Sequence, residues 1–420
     1  MRLPKSGQAS AATRVSWPLV AAFVLGAGFS ETSAFASAAL YGPLTIILGL
    51  SVWLVSTRPH LRFTQTQSAA VLVGMLIFLS SAIGALLQSD SLSGAYTTLL
   101  LLVWIAAAII GSALGASRVI ASFALSGVIV SLGFLALTYD DLTLRLLLSG
   151  TTLAESARYG GPFEAHPNLI GHMMGLFALV IFWQARELRW KGKLLYWTAA
   201  ATAFAMCVAA SSRGGLIAAA AATGATYVLA SLKDRKLRRR LALLTLVSVV
   251  AAAFYLDEAF EFLVDLLQLN SEHRGVGTGL TGRTDLWAYI VDQFWTARVP
   301  LLWGGGFRNE WINGITVDNS YLVILAEAGV LGLVLWVGRA LLLIKRSVRS
   351  ITIRPETPDL VVCAVLLFSV AEAVVNRQFL AIGNPASLLV LMLVVIYKPS
   401  YKRPSRRFVF SRMPERAVTV

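Results

Sequence analysis

The sequence predicts an all-helical protein that crosses a membrane many times. Three observations carry that reading. First, 57% of the 420 residues are hydrophobic and only 14% charged, with a mean hydropathy of +0.71. A water-soluble domain could not cover so much apolar surface with so few charges. Second, apolar runs of about 20 residues recur along the chain, the length that spans a bilayer. Third, the basic residues gather in alternate connections between those runs. Helices are expected because a segment in lipid must satisfy its own backbone groups.

Twelve spans are expected, at 16–32, 37–57, 66–88, 95–116, 119–138, 167–185, 195–212, 213–232, 241–257, 319–344, 358–376 and 383–398. The organisation is therefore nine spans in 1–257, an external loop at 258–318, three spans in 319–398 and a basic tail at 399–420. The first apolar run has no convincing small-residue cleavage site after it and reads as a signal anchor. No internal repeat is evident, which disfavours transporters built from duplicated halves. Cys207 and Cys363 lie inside apolar runs and offer neither a disulfide framework nor metal-ligand spacing. No Walker motif or metal-ligand cluster is present, so no metal and no cofactor are expected.

Charge orients the spans. With the N-terminus inside and the spans alternating, 28 of the 36 Lys and Arg residues fall on the cytoplasmic side, and both termini are cytoplasmic. The net charge of +14 then reflects flanks that meet anionic lipids, such as "KDRKLRRR" and the tail "YKPSYKRPSRRF", and not nucleic-acid binding. All lysines are inside. The basic residues outside are Arg145, Arg158, Arg213, Arg274, Arg283, Arg298, Arg308 and Arg377. Arginine presents a planar fork that grips phosphate or carboxylate with two hydrogen bonds. An anionic ligand is expected at this outer face.

The outer segments hold the candidate site. Residues 258–318 make the longest connection, and loops of that length usually carry function. Within it Leu286, Trp287, Ile290, Phe294 and Trp295 recur near helical spacing, so 284–296 is expected to lie flat on the membrane with its aromatics in the interface. Arg283, in "TGRTDLW", precedes this helix, which Thr281 or Thr284 can cap; it faces either an anionic ligand or lipid phosphates. Arg213, in "SSRGGLIA", sits at the start of the eighth span, where a cation opposes the helix dipole. It either serves a ligand or closes a tight turn.

In "VDNSYLVILAEAGVLG", Asp318 is placed as N-cap of the tenth span or as a surface base, and Asn319 can also cap. Glu327 lies about 13 Å deeper and on the opposite helix face, and is expected to pair with a neighbouring helix. "GPFEAHPNLIGH" brings His166 and Asn168 to the outer end of the sixth span, where His166 is a possible acid or base. "WGGGFRNEW" is a glycine-rich turn beside Arg308, without the strand and helix that a nucleotide loop requires.

"SSRGGLIA", "TGRTDLW", "WGGGF" and "DNSYLVILAEAGVLG", in that order and preceded by "HPNLIG", resemble the O-antigen ligase and exopolysaccharide polymerase superfamily over roughly 160–335. The resemblance implies a GT-C-like, metal-independent membrane glycosyltransferase that uses undecaprenyl-diphosphate-linked glycans on the periplasmic side of a bacterial inner membrane. It implies Arg213 and Arg283 as holders of the diphosphate and Asp318 as the group at the acceptor hydroxyl. Arg158, His166, Asn168, Arg308, Asn319 and Arg377 are the accompanying candidates for substrate binding. O-antigen ligases usually carry histidine where Asp318 stands, which ranks a polymerase first and a ligase to lipid A core second. A lipid-linked oligosaccharide flippase is the reading from another class. The expected partners are the lipid-linked oligosaccharide, an acceptor glycan, membrane lipids and chain-length or export proteins.

Overall fold

A computed structural model of the chain describes residues 15–28, 36–58, 60–140, 158–163, 165–266, 279–296, 298–308, 317–380 and 384–399. Among these residues the regular structure is helical. The α-helices are α1 (Trp17–Gly28), α2 (Ala36–Thr57), α3 (Gln65–Leu87), α4 (Ser91–Leu114), α5 (Ala116–Leu137), α6 (Pro167–Gln184), α7 (Trp190–Ala209), α8 (Arg213–Ser231), α9 (Arg235–Leu266), α10 (Gly279–Trp295), α11 (Ser320–Ile353), α12 (Thr357–Glu372) and α13 (Pro385–Ile396). Each of the twelve expected spans falls on one of them, and α10 is the expected helix of the outer loop. α3 to α8 and α11 are long and apolar enough to cross a membrane, and α1, α2 and α13 hold shorter apolar stretches. The protein is thus a multi-pass membrane protein. α9 and α12 stand apart: α9 opens on a basic run and closes on an acidic one, and α12 is 16 residues long with Asp359 and Glu372 in it.

The packing centres on α6, α12 and α13, which are buried along nearly their whole length. α6 packs against α5, α7, α8 and α12, and α13 fills the space beside α4. The periphery is apolar as well. Leu243, Leu244, Val247 and Phe254 of α9 stand exposed, as do Leu72 and Leu79 of α3. Such a surface suits lipid, which solvates apolar side chains and leaves polar backbone unsatisfied.

The two ends of the bundle differ in charge. One end holds the described lysines and the Arg186–Asp234 ion pair at 3.4 Å. The other gathers the starts of α4, α6, α8 and α11, with Arg158, Arg213, Arg283 and Arg308. Gln88, just past α3, donates to the Arg298 carbonyl at 2.8 Å there. Arg145 and Arg274, the N-terminal flank 1–14 and nearly all of the tail lie outside the described residues.

α11 is interrupted at Gly329, where φ is 68° and ψ is −174°. The break frees backbone groups that require partners inside the protein. The turn "WGGGF" provides them. Gly305 N–H donates to the Ala326 carbonyl at 2.7 Å, and Gly306 N–H to the Glu327 carbonyl at 3.0 Å. Val330 N–H donates to the Leu301 carbonyl at 2.9 Å. The Ser80 hydroxyl reaches the Ala328 carbonyl at 3.0 Å. The glycine-rich turn is therefore a splint for a broken helix. Glu327 does not pair with a neighbouring helix as expected. Its Oε1 accepts the backbone N–H of Arg308 at 3.0 Å, because the break lets this turn come close.

A Cβ at position 329 would lie 2.1 Å from the Leu302 carbonyl oxygen. The backbone conformation is also one that essentially only glycine adopts, at a cost of about 1–3 kcal/mol for other residues. Gly329→Ala should therefore lower the thermal midpoint of the detergent-solubilised protein clearly. An unchanged midpoint would contradict the splinted break.

Candidate active site

Arg213 is the first residue of α8, after a tight turn in which Ser211 has φ of 51°. Two features fix that turn. α6 and α8 approach so closely that a Cβ on Gly171 would lie 2.0 Å from the Ser212 Cβ. Arg158 ties the turn to α6, donating from Nε to the Ala210 carbonyl at 3.2 Å and from Nη2 to Asn168 Oδ1 at 2.7 Å. Arg158 and Asn168 thus meet, as two of the expected substrate-binding residues. His166 has a structural part: its Nδ1 accepts the Asn168 N–H at 3.3 Å and caps α6 ahead of Pro167.

Arg283 and Asp318 meet directly. Arg283 Nη2 lies 3.0 Å from Asp318 Oδ2, with both side chains partly exposed. Arg283 also lies close enough to Arg213 for the two guanidinium groups to repel. Arg283 and Asp318, 35 positions apart in sequence, are therefore in contact, with Arg213 within electrostatic range.

Two expected caps are corrected. Asp318 does not cap α11. Asn319 does, its Oδ1 accepting the N–H groups of Tyr321 at 3.0 Å and Leu322 at 3.1 Å. Arg283 draws the Asp318 carboxylate the other way, and the buried amide of Asn319 takes over the helix start. Thr281 and Thr284 lie within α10 and not ahead of it, because that helix already runs from Gly279, and Arg283 sits within it too.

The apolar face of α10 also has a protein partner. Its Ile290 is 1% exposed and packs with Val317 and Ala326, joined by Trp287, Phe294, Leu322 and Val323. α10 therefore lays its apolar face on the outer half of α11. Trp295 alone of the expected aromatics is largely exposed. This packing is what carries Arg283 to Asp318.

Arg308 and Arg377 form a second group on the same end of the bundle. Both are near enough to attract the buried carboxylate of Glu327. The Arg308 guanidinium stacks on the Tyr96 ring, 4.8 Å from its centroid, and its Nη1 donates to the Tyr96 hydroxyl at 3.3 Å. Tyr96 escaped the sequence reading, as did the buried pair His172 and Glu372. The available signal for that pair was an ionisable residue inside an apolar run. Among the described residues no three His, Cys, Asp or Glu side chains gather as metal ligands.

Residues 198–337 match the family model described as O-antigen ligase. The chain carries an O-antigen ligase domain. The match covers one third of the chain and supports the resemblance to the O-antigen ligase and polymerase superfamily that the order of its motifs carries. The domain begins in α7 and ends in α11, so it takes in Arg213, Arg283, the glycine turn, Asp318 and Glu327. α6 with Asn168, and α12, lie outside it. No curated protein matches the chain.

The cap assignment separates two neighbours. Asn319→Ala should cost about 1 kcal/mol of stability through the lost cap. Asp318→Ala removes only a partly exposed ion pair, worth roughly 0–1 kcal/mol. Thermal unfolding of both variants checks this, and an equal or larger loss for Asp318→Ala would give the cap back to Asp318.

Proposed function

We propose that the protein is a polysaccharide polymerase. It transfers a glycan from undecaprenyl diphosphate to an acceptor sugar at the periplasmic face of a bacterial inner membrane, without a metal ion. The observation that carries this reading is the Arg283–Asp318 pair beside Arg213 at the arginine-rich end of the bundle, within an O-antigen ligase domain. The strong lysine bias of the other end supports an outward-facing site.

The chemistry needs two things of these residues. As the bond between the anomeric carbon and the diphosphate oxygen breaks, negative charge builds on the leaving diphosphate. Arg213 and Arg283 supply fixed donors for it, and electrostatic stabilisation of this kind is a large term in catalysis. The acceptor hydroxyl forms the new bond to the anomeric carbon and gives up its proton. Asp318 is the acceptor for that hydroxyl, orienting it or taking the proton. Diphosphate binding draws Arg283 toward the donor and leaves the Asp318 carboxylate for the sugar. Arg158 with Asn168, and Arg308 with Arg377, are the further candidates for contacting the glycans, and Asn319 serves them indirectly by capping α11.

An aspartate where ligases usually have histidine favours polymerisation over transfer to lipid A core. A flippase is less well supported, since the domain match points to group transfer.

Purified protein in proteoliposomes, given a polyprenyl-diphosphate-linked repeat unit, should release polyprenyl diphosphate and build polymer. Arg213→Ala and Arg283→Ala should each lower turnover about 10²–10³-fold. Arg→Lys should recover little, because a point charge lacks the fork. Near-normal turnover by the lysine variants would contradict bidentate diphosphate binding, and transfer only to added lipid A core would identify a ligase.

A further inference from the structure

A buried polar cluster lies beneath the site and outside the groups used above. It comprises His172 of α6, Glu372 of α12, Ser320 of α11 and Asn376 just past α12, each at most 8% exposed. Glu372 Oε2 meets His172 Nδ1, and Glu372 Oε1 accepts Asn376 Nδ2–H at 3.2 Å. The Asn376 carbonyl accepts both the hydroxyl and the backbone N–H of Ser320, the latter at 2.9 Å. Ser320 is the first residue of α11, two positions after Asp318. On the other flank, a Cβ on Gly214 would lie 3.7 Å from Glu372 Cγ, so α8 starts against the same side chain. Glu372 therefore bonds α6 through His172, lies against the start of α8, and is linked through Asn376 to the start of α11.

The donors are specified by the surroundings. The crevice lined by His172, Ser320, Glu372 and Asn376 has no room for a water molecule, and His172 Nε2 is buried there without a partner. A bare lone pair is tolerated in such a place better than a bare N–H. The ring proton therefore belongs on Nδ1, donated to Glu372, while the Asn376 amide donates to the other oxygen. A carboxylate accepts at both ends; a glutamine of the same size would present a donor at one of them. Ionisable groups this deep in a membrane protein are costly and functional by default.

We infer that Glu372 is a positioning residue: by accepting from His172 and Asn376 together, it fixes the start of α11, and with it Asp318, relative to Arg213. This rests on the transferase reading of the site. A misplacement of about 1 Å between reacting groups can cost about 10²-fold in rate.

The test compares Glu372→Gln with the double variant Glu372→Gln/Asn376→Asp, which exchanges the amide and the carboxylate so that each donor again meets an acceptor. Turnover is measured in proteoliposomes with the polyprenyl-diphosphate-linked repeat unit. Amide hydrogen exchange is measured on the peptide covering 317–323. Glu372→Gln should lower kcat about 10²-fold with KM for the donor nearly unchanged, and should speed exchange in that peptide. The double variant should recover both. A space-filling role would leave the single variant unaffected, since the two side chains match in size. Wild-type kcat and exchange in the single variant, or a double variant no better than the single, would overturn the inference. Where the single variant fails to accumulate in the membrane, recovery of accumulation by the double variant supports it and no recovery overturns it. A wild-type protein that never consumes this donor overturns the transferase reading alone, and the exchange measurement still decides how α11 is held.

Discussion

A backbone amide or carbonyl left without a partner in lipid costs several kcal/mol, and the outer half of α11 is arranged around that cost. The helix breaks at Gly329, and the freed groups on both sides of the break are taken up by residues 301–306 and by Ser80. Its start is held by the Asn319 cap and by Ser320, whose N–H reaches the carbonyls at the end of α12. Residues 320–328 thus form a short segment bonded at both ends. Because Asn319 satisfies the first amides, the Asp318 carboxylate is available to Arg283. The ion pair and the cap one residue further on fit together.

Two populations of polar side chains follow from this arrangement. His172, Glu372, Glu327 and Asn319 are buried and engaged with backbone or with one another. They set positions. Arg213, Arg283 and Asp318 are only partly buried and come from three segments. The packing of α10 on α11 and the close approach of α6 and α8 set these two arginines within electrostatic range of each other. Such an arrangement suits an anion with more than one charge.

The helices were legible in the sequence because apolar run length reports directly on a bilayer. The site arginines were legible because they break the lysine and arginine bias at one end. What the sequence left hidden was decided at long range. Asp and Asn are both good caps, and the choice between Asp318 and Asn319 depends on Arg283, 35 positions away. Gly329 in "AEAGVLG" looks like any small helix residue until residues 301–306 fold onto it. Trp287, Ile290 and Phe294 have a spacing that fits a membrane interface as well as a neighbouring helix. His172 and Glu372 sit 200 positions apart, so nothing local relates them.

Joint binding of a diphosphate by Arg213 and Arg283 is the central claim. A structure of the protein in lipid nanodiscs with a bound polyprenyl diphosphate measures this directly. The account predicts diphosphate oxygens within about 2.7–3.2 Å of both guanidinium groups, with the lipid chain leaving toward the bilayer and Asp318 released from Arg283. A diphosphate bound elsewhere, or bound here with the Arg283–Asp318 pair intact and Arg213 out of reach, would contradict it.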